Sequence, residues 1–563
     1  MLTDNELAML EQLCYLDSNV ASAAGIDDLF SGLGEGYESQ TIGQILSVFD
    51  DAALERLAAN GDVIIDGAVA SGAEWASMIR NLQSNEEISS LVLDECMVND
   101  NGVPLALVYH APGNYTDAIV TFKGTTGGQE WVDNVEGLNT SDTRAQKDAL
   151  DFIESLSYSN ITVVGHSKGG NKAMYVAVLS DKVTRCVSYD GQGFSKEFLD
   201  KYWAEIQAKG GIISNYAVST DFVNILLFPI PGAKLVFVKG YGIGDIRQNH
   251  SPNSFFVTDD AGNLVLDANG NPQMIVVAQD ESMKMLHEFT TFILNVADDN
   301  DKEIIVGYIS GLLALVFGKN PPATQEEILN YALSDPDALA LIIAYLVKYM
   351  DVYDLDAGDI DKLLQALGLN SLDSMFSVKI FDVTIVGLAG FIDFAKKQLT
   401  DGKSDKILEL ILSFFKINGI NMKEFWTAIE RKVNSLGDID AATANQNAQS
   451  MTGEIRDYSK KSYDKIVDTI ERIETSGFES VSPWGSYSAE DWFSTLLINL
   501  AINGINSYRN KLTETNTICK TRIDTVFDNI SQIDSNYGNL VNNEHVYLQG
   551  VKTVITAIAD GIN

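Results

Sequence analysis

At 563 residues the chain has room for roughly three or four domains of ~150 residues each. With 45% hydrophobic and 21% charged residues it has the makings of globular cores, which excludes a disordered polymer. A formal net charge of −39 repels phosphate backbones and anionic headgroups, so it excludes nucleic acid as a partner and simple electrostatic docking on an anionic membrane.

The N-terminus, Met1-Leu-Thr-Asp-Asn-Glu6, lacks a basic stretch leading into an apolar core, and no Sec-type signal peptide is expected. Residues 3–81 read as helical. Leu7, Leu10, Leu13 and Leu16 give one apolar face, and Ile42, Ile45, Leu46 and Phe49 another. From Ser90 the period changes to that of short strands, 91–98, 105–110 and 118–122, separated by Asn-Gly and Pro-Gly turns. A helix follows over 145–156.

The β-branched run 161–164 then enters Gly165-His166-Ser167-Lys168-Gly169, and 171–179 reads as a helix. Strand, G-x-S-x-G turn and helix together make a nucleophile elbow, in which a strained turn presents the serine hydroxyl outward. Gly165 and Gly169 are expected where a Cβ would strike the neighbouring strand or helix. Further strands are expected over 183–189 and 212–219. Alternating strands and helices imply an α/β fold with a mainly parallel sheet covered on both faces.

Residues 255–266 read as a β-hairpin. The turn after it, Asp267-Ala-Asn-Gly-Asn271, lacks the downstream Glu of a calcium loop and reads as a plain turn. The four cysteines, Cys14, Cys96, Cys186 and Cys519, show no metal-ligand spacing and read as free thiols. No metal and no cofactor are therefore expected.

After about Met283 the strands stop. An all-α middle segment is expected, with apolar helices over 303–317, 325–333, 338–350, 360–367, 380–399 and 406–416. They either bury one another or form a lipid-facing cover, and burial is the favoured reading. The longest apolar run, 304–317, is too short to span a bilayer, so no transmembrane segment is expected. From about Met422 the chain turns polar, with long apolar stripes at spacings of three and four on either side of a turn over 480–487. That pattern predicts a long C-terminal helical hairpin. The expected domains are 1–300, 301–421 and 422–563.

A serine nucleophile needs a base and an acid that orients it, in the chain order Ser, Asp, His for this fold. Ser167 is the nucleophile. His250, on a loop in Arg247-Gln-Asn-His-Ser-Pro252, is the favoured base. His287 on a predicted helix is the substitute, and His545 falls in the tail. Asp221, after the strand 212–219, is the favoured acid. Asp190, after the preceding strand, shapes the turn near the site, and only geometry decides between them. The oxyanion hole draws one backbone N–H from Lys168 and a second from Thr125 in Thr121-Phe-Lys-Gly-Thr-Thr126. His166 is read as structural, because the elbow turns it away from the serine.

Phe122-Lys-Gly-Thr125, Glu130-Trp-Val-Asp-Asn134 and Gly165-His-Ser-Lys-Gly-Gly170 together resemble the lipase class 3-like group of bacterial α/β-hydrolases, over about residues 1–300. That group usually carries Arg where Lys123 stands. The Trp131–Asp133 pair matches its aromatic-acidic pair after the oxyanion loop. The resemblance implies hydrolysis of a carboxylic ester, a lipid above all, by a lipase or phospholipase A. The polar helical tail with Trp484-Gly485 at its turn resembles the targeting domains of type VII secretion substrates of the WXG and LXG kind, although no residue separates Trp and Gly here. This second resemblance implies an exported lipase toxin with the enzyme first and the targeting domain last. Its expected partners are small WXG-like helical hairpins and an immunity protein. The rival expectations are a cytoplasmic carboxylesterase or thioesterase whose tail oligomerises, and a non-enzymatic interaction protein on a hydrolase scaffold. The apolar stretch 222–231, between acid and base, favours an acyl chain over small soluble esters.

Overall fold

The computed structural model describes residues 2–26, 36–65, 68–99, 102–124, 140–240, 246–268, 270–317, 323–366, 376–380, 383–399, 411–415 and 420–437, with a few isolated positions besides. They belong to one compact unit, Met1–Ile439. It opens with short helices: α1 (Asp4–Glu11), a 3-10 turn (Gln12–Tyr15), α2 (Ser18–Ala24), α3 (Ile42–Leu46), α4 (Asp51–Ala58), α5 (Gly72–Ser84) and α6 (Glu86–Ser89). Side chains set their starts. Thr3, Thr41 and Ser71 form capping boxes with Glu6, Gln44 and Glu74, and Asp17 and Asp50 cap α2 and α4. The wholly helical reading of 3–81 needs one correction. Asp62–Ile65 (β1) and Ala68–Ser71 (β2) pair as an antiparallel hairpin, because the β-branched run Val63–Ile65 fits a pleated surface better than a helix.

The main sheet has seven strands in sequence order: β3 (Val92–Val98), β4 (Pro104–His110), β5 (Asp117–Phe122), β6 (Asn160–His166), β7 (Val183–Tyr189), β8 (Ile213–Val218) and β9 (Lys234–Val238). The β3–β4 and β4–β5 pairs are antiparallel, and β5 to β9 are all parallel. The expected strands are present to within a residue or two. The sequence reading missed β9, a half-buried edge strand beside Pro231-Gly232. The connecting helices are α7 (Arg144–Ser155), α8 (Lys168–Leu179), α9 (Lys196–Lys201) and α10 (Trp203–Lys209). Right-handed crossovers between strands added in sequence order bring their helices to one face. There α7 packs on α8, and α8 on β6 and β7.

The other face belongs to the N-terminal helices. Leu107, Tyr109, Val164, Val187, Tyr189, Val218 and Val238 form one apolar cluster with Leu7, Leu10, Leu13, Ile45, Leu54 and Trp75. Asp4 ties α1 to the sheet. Its carboxylate pairs with Arg185 and accepts from the Tyr216 hydroxyl at 2.5 Å, while its carbonyl accepts from the Tyr189 hydroxyl.

Asp142 performs the same service on the opposite side. Its carboxylate accepts from the hydroxyls of Tyr175 and Tyr202, both at 2.7 Å, from Ser141 and from the Lys201 ammonium. Burial alone would push this carboxyl up, but the donors outweigh it and hold it well below the usual carboxylate range. A depressed value means stability present above the unfolded value, about 3.9, and lost as pH falls towards the folded one. Asp142→Asn is expected to cost about 1–2 kcal/mol at neutral pH, since the exposed Lys201 end is screened by water. It should also flatten the loss of stability below about pH 4. Denaturant titrations at stepped pH check this, and parallel acid limbs in parent and variant would contradict it.

Beyond the sheet, α11 (Ile246–Asn249) precedes a stretch where the expected hairpin is reduced to single bridges, Thr258–Leu264 and Leu266–Pro272. Asp267 Oδ1 accepts the Asn271 N–H at 3.0 Å and so caps its own turn. The helices α12 (Glu281–Val296), α13 (Asp299–Phe317), α14 (Gln325–Ser334), α15 (Pro336–Tyr353) and α16 (Ala357–Ala366) follow. The all-α reading of 301–421 is corrected by a second hairpin, β10 (Val378–Ile380) and β11 (Val383–Ile385). Its alternating β-branched residues start the segment that had been assigned to a helix over 380–399. The helix there, α17 (Gly387–Leu399), begins only at Gly387.

The apolar helices bury one another. Ile343, Val347 and Met350 of α15, Phe391 and Ile392 of α17, and Phe425, Trp426, Ile429 and Val433 of α18 (Met422–Leu436) are all buried. The expected boundary at 421/422 therefore lies inside this unit, with α18 packed on α15 and α17. Among the described residues Cys14, Cys96 and Cys186 are free thiols, and no helix is long and apolar enough to cross a membrane. Residues 406, 407, 409, 410 and 416 of the expected helix over 406–416, the C-terminal hairpin, Cys519 and His545 lie outside the described residues. What is described is an α/β fold built on a mostly parallel sheet.

Candidate active site

Strand β6 ends at His166 and α8 begins at Lys168, so Ser167 alone turns the chain, with φ 59° and ψ −125°. A non-glycine residue held there costs about 1–3 kcal/mol and persists only where its surroundings enforce it. Here the Ser167 N–H donates to the Tyr189 carbonyl at 2.8 Å, and the Ser167 carbonyl accepts the Asn171 N–H at 3.1 Å. Close packing does the rest. A Cβ on Gly165 would collide with the Gly169 backbone, and one on Gly169 with the Phe122 carbonyl.

Ser167 Oγ lies 2.8 Å from His250 Nε2, and His250 Nδ1 lies 2.9 Å from Asp221 Oδ1. The three residues come from different connections: the β6–α8 turn, the end of α11 and the turn after β8. Asp221 is buried, and its Oδ2 accepts the N–H groups of Val223 and Asn224 at 3.0 and 3.1 Å and the Asn224 side-chain amide at 3.2 Å. A carboxylate only accepts, so Nδ1 carries the imidazole proton. The Nε2 lone pair then faces the serine, which is the tautomer a general base requires.

The geometry decides between the two acids. Asp190, fully buried at φ 47°, accepts the Val218 N–H at 2.7 Å and the Asn224 amide at 3.3 Å, while His250 bonds to Asp221. Burial first, and then the Asp221 charge beside it, push the Asp190 carboxyl well above the usual range. The substitute base, His287, is buried on α12 with Nδ1 2.6 Å from the Ile225 carbonyl, where it holds the apolar 222–231 loop and does not meet Ser167. His166 is buried with Nδ1 2.9 Å from the Tyr15 hydroxyl, and its ring centroid lies 4.8 Å from that of His250.

Lys168 opens α8, so its N–H lies at the helix N-terminus beside the nucleophile, where developing negative charge is favoured. Thr125 lies outside the described residues, as do 130–134, the segment with Trp131 and Asp133. The chain is described as far as Gly124, on which a Cβ would stand 3.3 Å from that of Ser167. Lys123 is buried, its ammonium 5.5 Å above the Tyr15 ring.

His166, Asp190 and His250 offer atoms of metal-ligating type within 4.8 Å of one another. Both ring nitrogens of His250 are engaged, however, and a cation there would have to break one of those bonds. Two polar contributors escaped the sequence reading. Asn224 touches both carboxylates; its place three residues after Asp221, an Asx-turn spacing, was the available signal. Tyr15 comes from the far N-terminus, with no local signal at all.

A family model described as Mbeg1-like matches residues 104–261. The matched stretch runs from β4 past His250 and contains Ser167, Asp221 and His250. No curated protein and no solved structure matches the chain.

Proposed function

We propose that the chain is a serine ester hydrolase of the α/β-hydrolase type that acts on lipids, a lipase or phospholipase A working through an acyl-enzyme. The observation that carries the reading is the hydrogen-bonded series Ser167–His250–Asp221 at a strained strand-to-helix turn. In that series His250 Nε2 takes the Ser167 proton as Oγ attacks the ester carbonyl. The imidazolium then gives the proton to the departing alcohol, and Asp221 holds the ring and balances its charge. Water, activated by the same nitrogen, releases the acid. The Lys168 N–H and Thr125 are the proposed donors to the oxyanion.

A lipid acyl group is supported by the loop that begins at the acid. Phe222 sits 6.0 Å from the His250 ring, and Ile225, Leu227, Phe228 and Ile230 follow it. On the sequence pattern of its tail the enzyme is an exported toxin, with residues 440–563 binding WXG-like helical partners for a type VII route. Since α18 belongs to the first unit, the cut that separates tail from enzyme falls at 439/440 and not at 421/422.

The test is fatty-acid release by the purified full-length protein from defined phospholipids and triglycerides, beside short soluble esters and thioesters. Lipid cleavage is expected. Turnover of soluble esters or thioesters alone would replace the reading with that of a cytoplasmic esterase, and no turnover of any ester would end it. Removal of 440–563 is expected to stop export in a type VII-active cell, and undiminished export would refute the targeting role.

A further inference from the structure

Behind the elbow, the 3-10 turn at the N-terminus brings a hydroxyl to the place where three working parts of the site meet. Tyr15 is 4% exposed. Its Oη lies 2.9 Å from His166 Nδ1 and accepts the Gly124 N–H at 3.0 Å. The Gly124 amide occupies one lone pair of that oxygen, and donation of the phenol proton to His166 Nδ1 would leave His166 as the neutral Nε2–H tautomer. Burial, and then the neighbouring His250, drive its affinity for a second proton well down, which agrees. Its Nε2 makes no hydrogen bond of ordinary geometry, and the His250 backbone is the group it faces.

Each end of this chain of contacts reaches the chemistry. His166 directly precedes the nucleophile, and its ring lies against that of His250. Gly124 leads into the segment with Thr125, and a Cβ there would come within 2.5 Å of the tyrosine oxygen, so nothing but glycine leaves room for the bond. From the same turn, Gln12 donates to the Pro252 carbonyl at 2.6 Å, just past His250.

We propose that Tyr15 is a positioning residue of the hydrolytic site. Its hydroxyl ties Gly124, just past β5, to the His166 ring beside the elbow, against which His250 rests. The proposal rests on the serine-hydrolase reading above.

Tyr15→Phe in the full-length protein tests it, because the ring and its packing stay and only the hydroxyl goes. Loss of about 10- to 100-fold in kcat is expected, with KM within about two-fold, as for a group that acts on the transition state. Leu54→Ala, in the same apolar cluster but on α4, is the stability control and is expected to melt earlier with kcat unchanged. In protein labelled with 15N-histidine, the His166 ring is expected to read as Nε2–H in the parent and to lose that single tautomer in the variant. The proposal is overturned if Tyr15→Phe keeps kcat within two-fold, or if Leu54→Ala loses kcat in the same proportion to its loss of stability. If the parent cleaves no ester, the functional reading fails instead. The tautomer alone then decides, with Nε2–H supporting the Tyr15 relay and Nδ1–H refuting it.

Discussion

Ser167→Ala is expected to lose on the order of 10⁴-fold or more in kcat on any ester the protein accepts, with KM little changed. Every other part of the site survives the substitution. Alanine keeps the Cβ, so the φ of 59° and the bonds from Ser167 N–H to Tyr189 and from Asn171 N–H to the elbow carbonyl remain. The Lys168 N–H stays at the head of α8, and His250 stays bonded to Asp221. Only the attacking atom is gone, and the reaction falls back on whatever oxyanion stabilisation and substrate binding give a water molecule. The fold is expected to melt within a few degrees of the parent, because a single partly exposed hydrogen bond contributes only about 1 kcal/mol. Retention of more than a few per cent of activity, in protein free of parental contamination, would mean that the nucleophile is another residue.

His250→Ala is expected to lose as much, and the Ser167→Ala/His250→Ala double variant no more than either single change, because a serine without its base is hardly better than no serine. Asp221→Asn is expected to lose somewhat less, about 10³- to 10⁴-fold. The direction follows from Oδ2. The N–H groups of Val223 and Asn224 require an oxygen there, so the new amide must turn its NH₂ towards His250 Nδ1. That forces the imidazole proton onto Nε2, facing the serine, and the base is lost although the ring stays in place. His287→Ala provides the contrast. It frees the 222–231 loop from α12 and lowers stability, but leaves proton transfer intact. An inert His287→Ala beside an active His250→Ala would move the base to His287.

How much of this was legible in the sequence follows from the range over which each feature is determined. The elbow is a local device, in which strand, two glycines, serine and helix lie within a short stretch and each needs the others sterically, so the motif located it. The candidates Asp221 and His250 were legible through chain order, because in this kind of fold the acid and base are expected on connections after the nucleophile. The strands β3 to β8 announced themselves as short apolar runs between turn residues, the run in β6 being β-branched. Three kinds of feature did not. The two small hairpins sit in apolar surroundings where a run of three or four residues has no measurable period. The edge strand β9 is half-buried, and among the described residues its outer side meets the chain only at a single bridge, Val238–Val276. Tyr15, Gln12 and Asp4 act on residues far along the chain, and no spacing rule connects a tyrosine at 15 to a glycine at 124. The α18 boundary was misplaced for a related reason: polar composition marks the exposed face of a helix as readily as it marks a new domain, and only the buried Phe425, Trp426, Ile429 and Val433 show which it is.

The N-terminal segment also determines the order in which the protein can be completed. Residues 2–16 are synthesised well before their partners, which are Arg185, Tyr216, Pro252 and Pro272, up to 267 positions downstream. Closing so large a loop adds little to the equilibrium cost, which grows only with the logarithm of its length, but contacts of this separation make for slow folding. Until β9 has been synthesised, Leu7, Leu10 and Leu13 have only part of a sheet to cover, and Gln12 has no loop to hold before Pro252 is made. Docking of this segment therefore waits on chain made much later than the segment itself. On the proposed mechanism it is also the step that brings Tyr15 against His166, so the site around Ser167 is completed by the part of the chain made long before it.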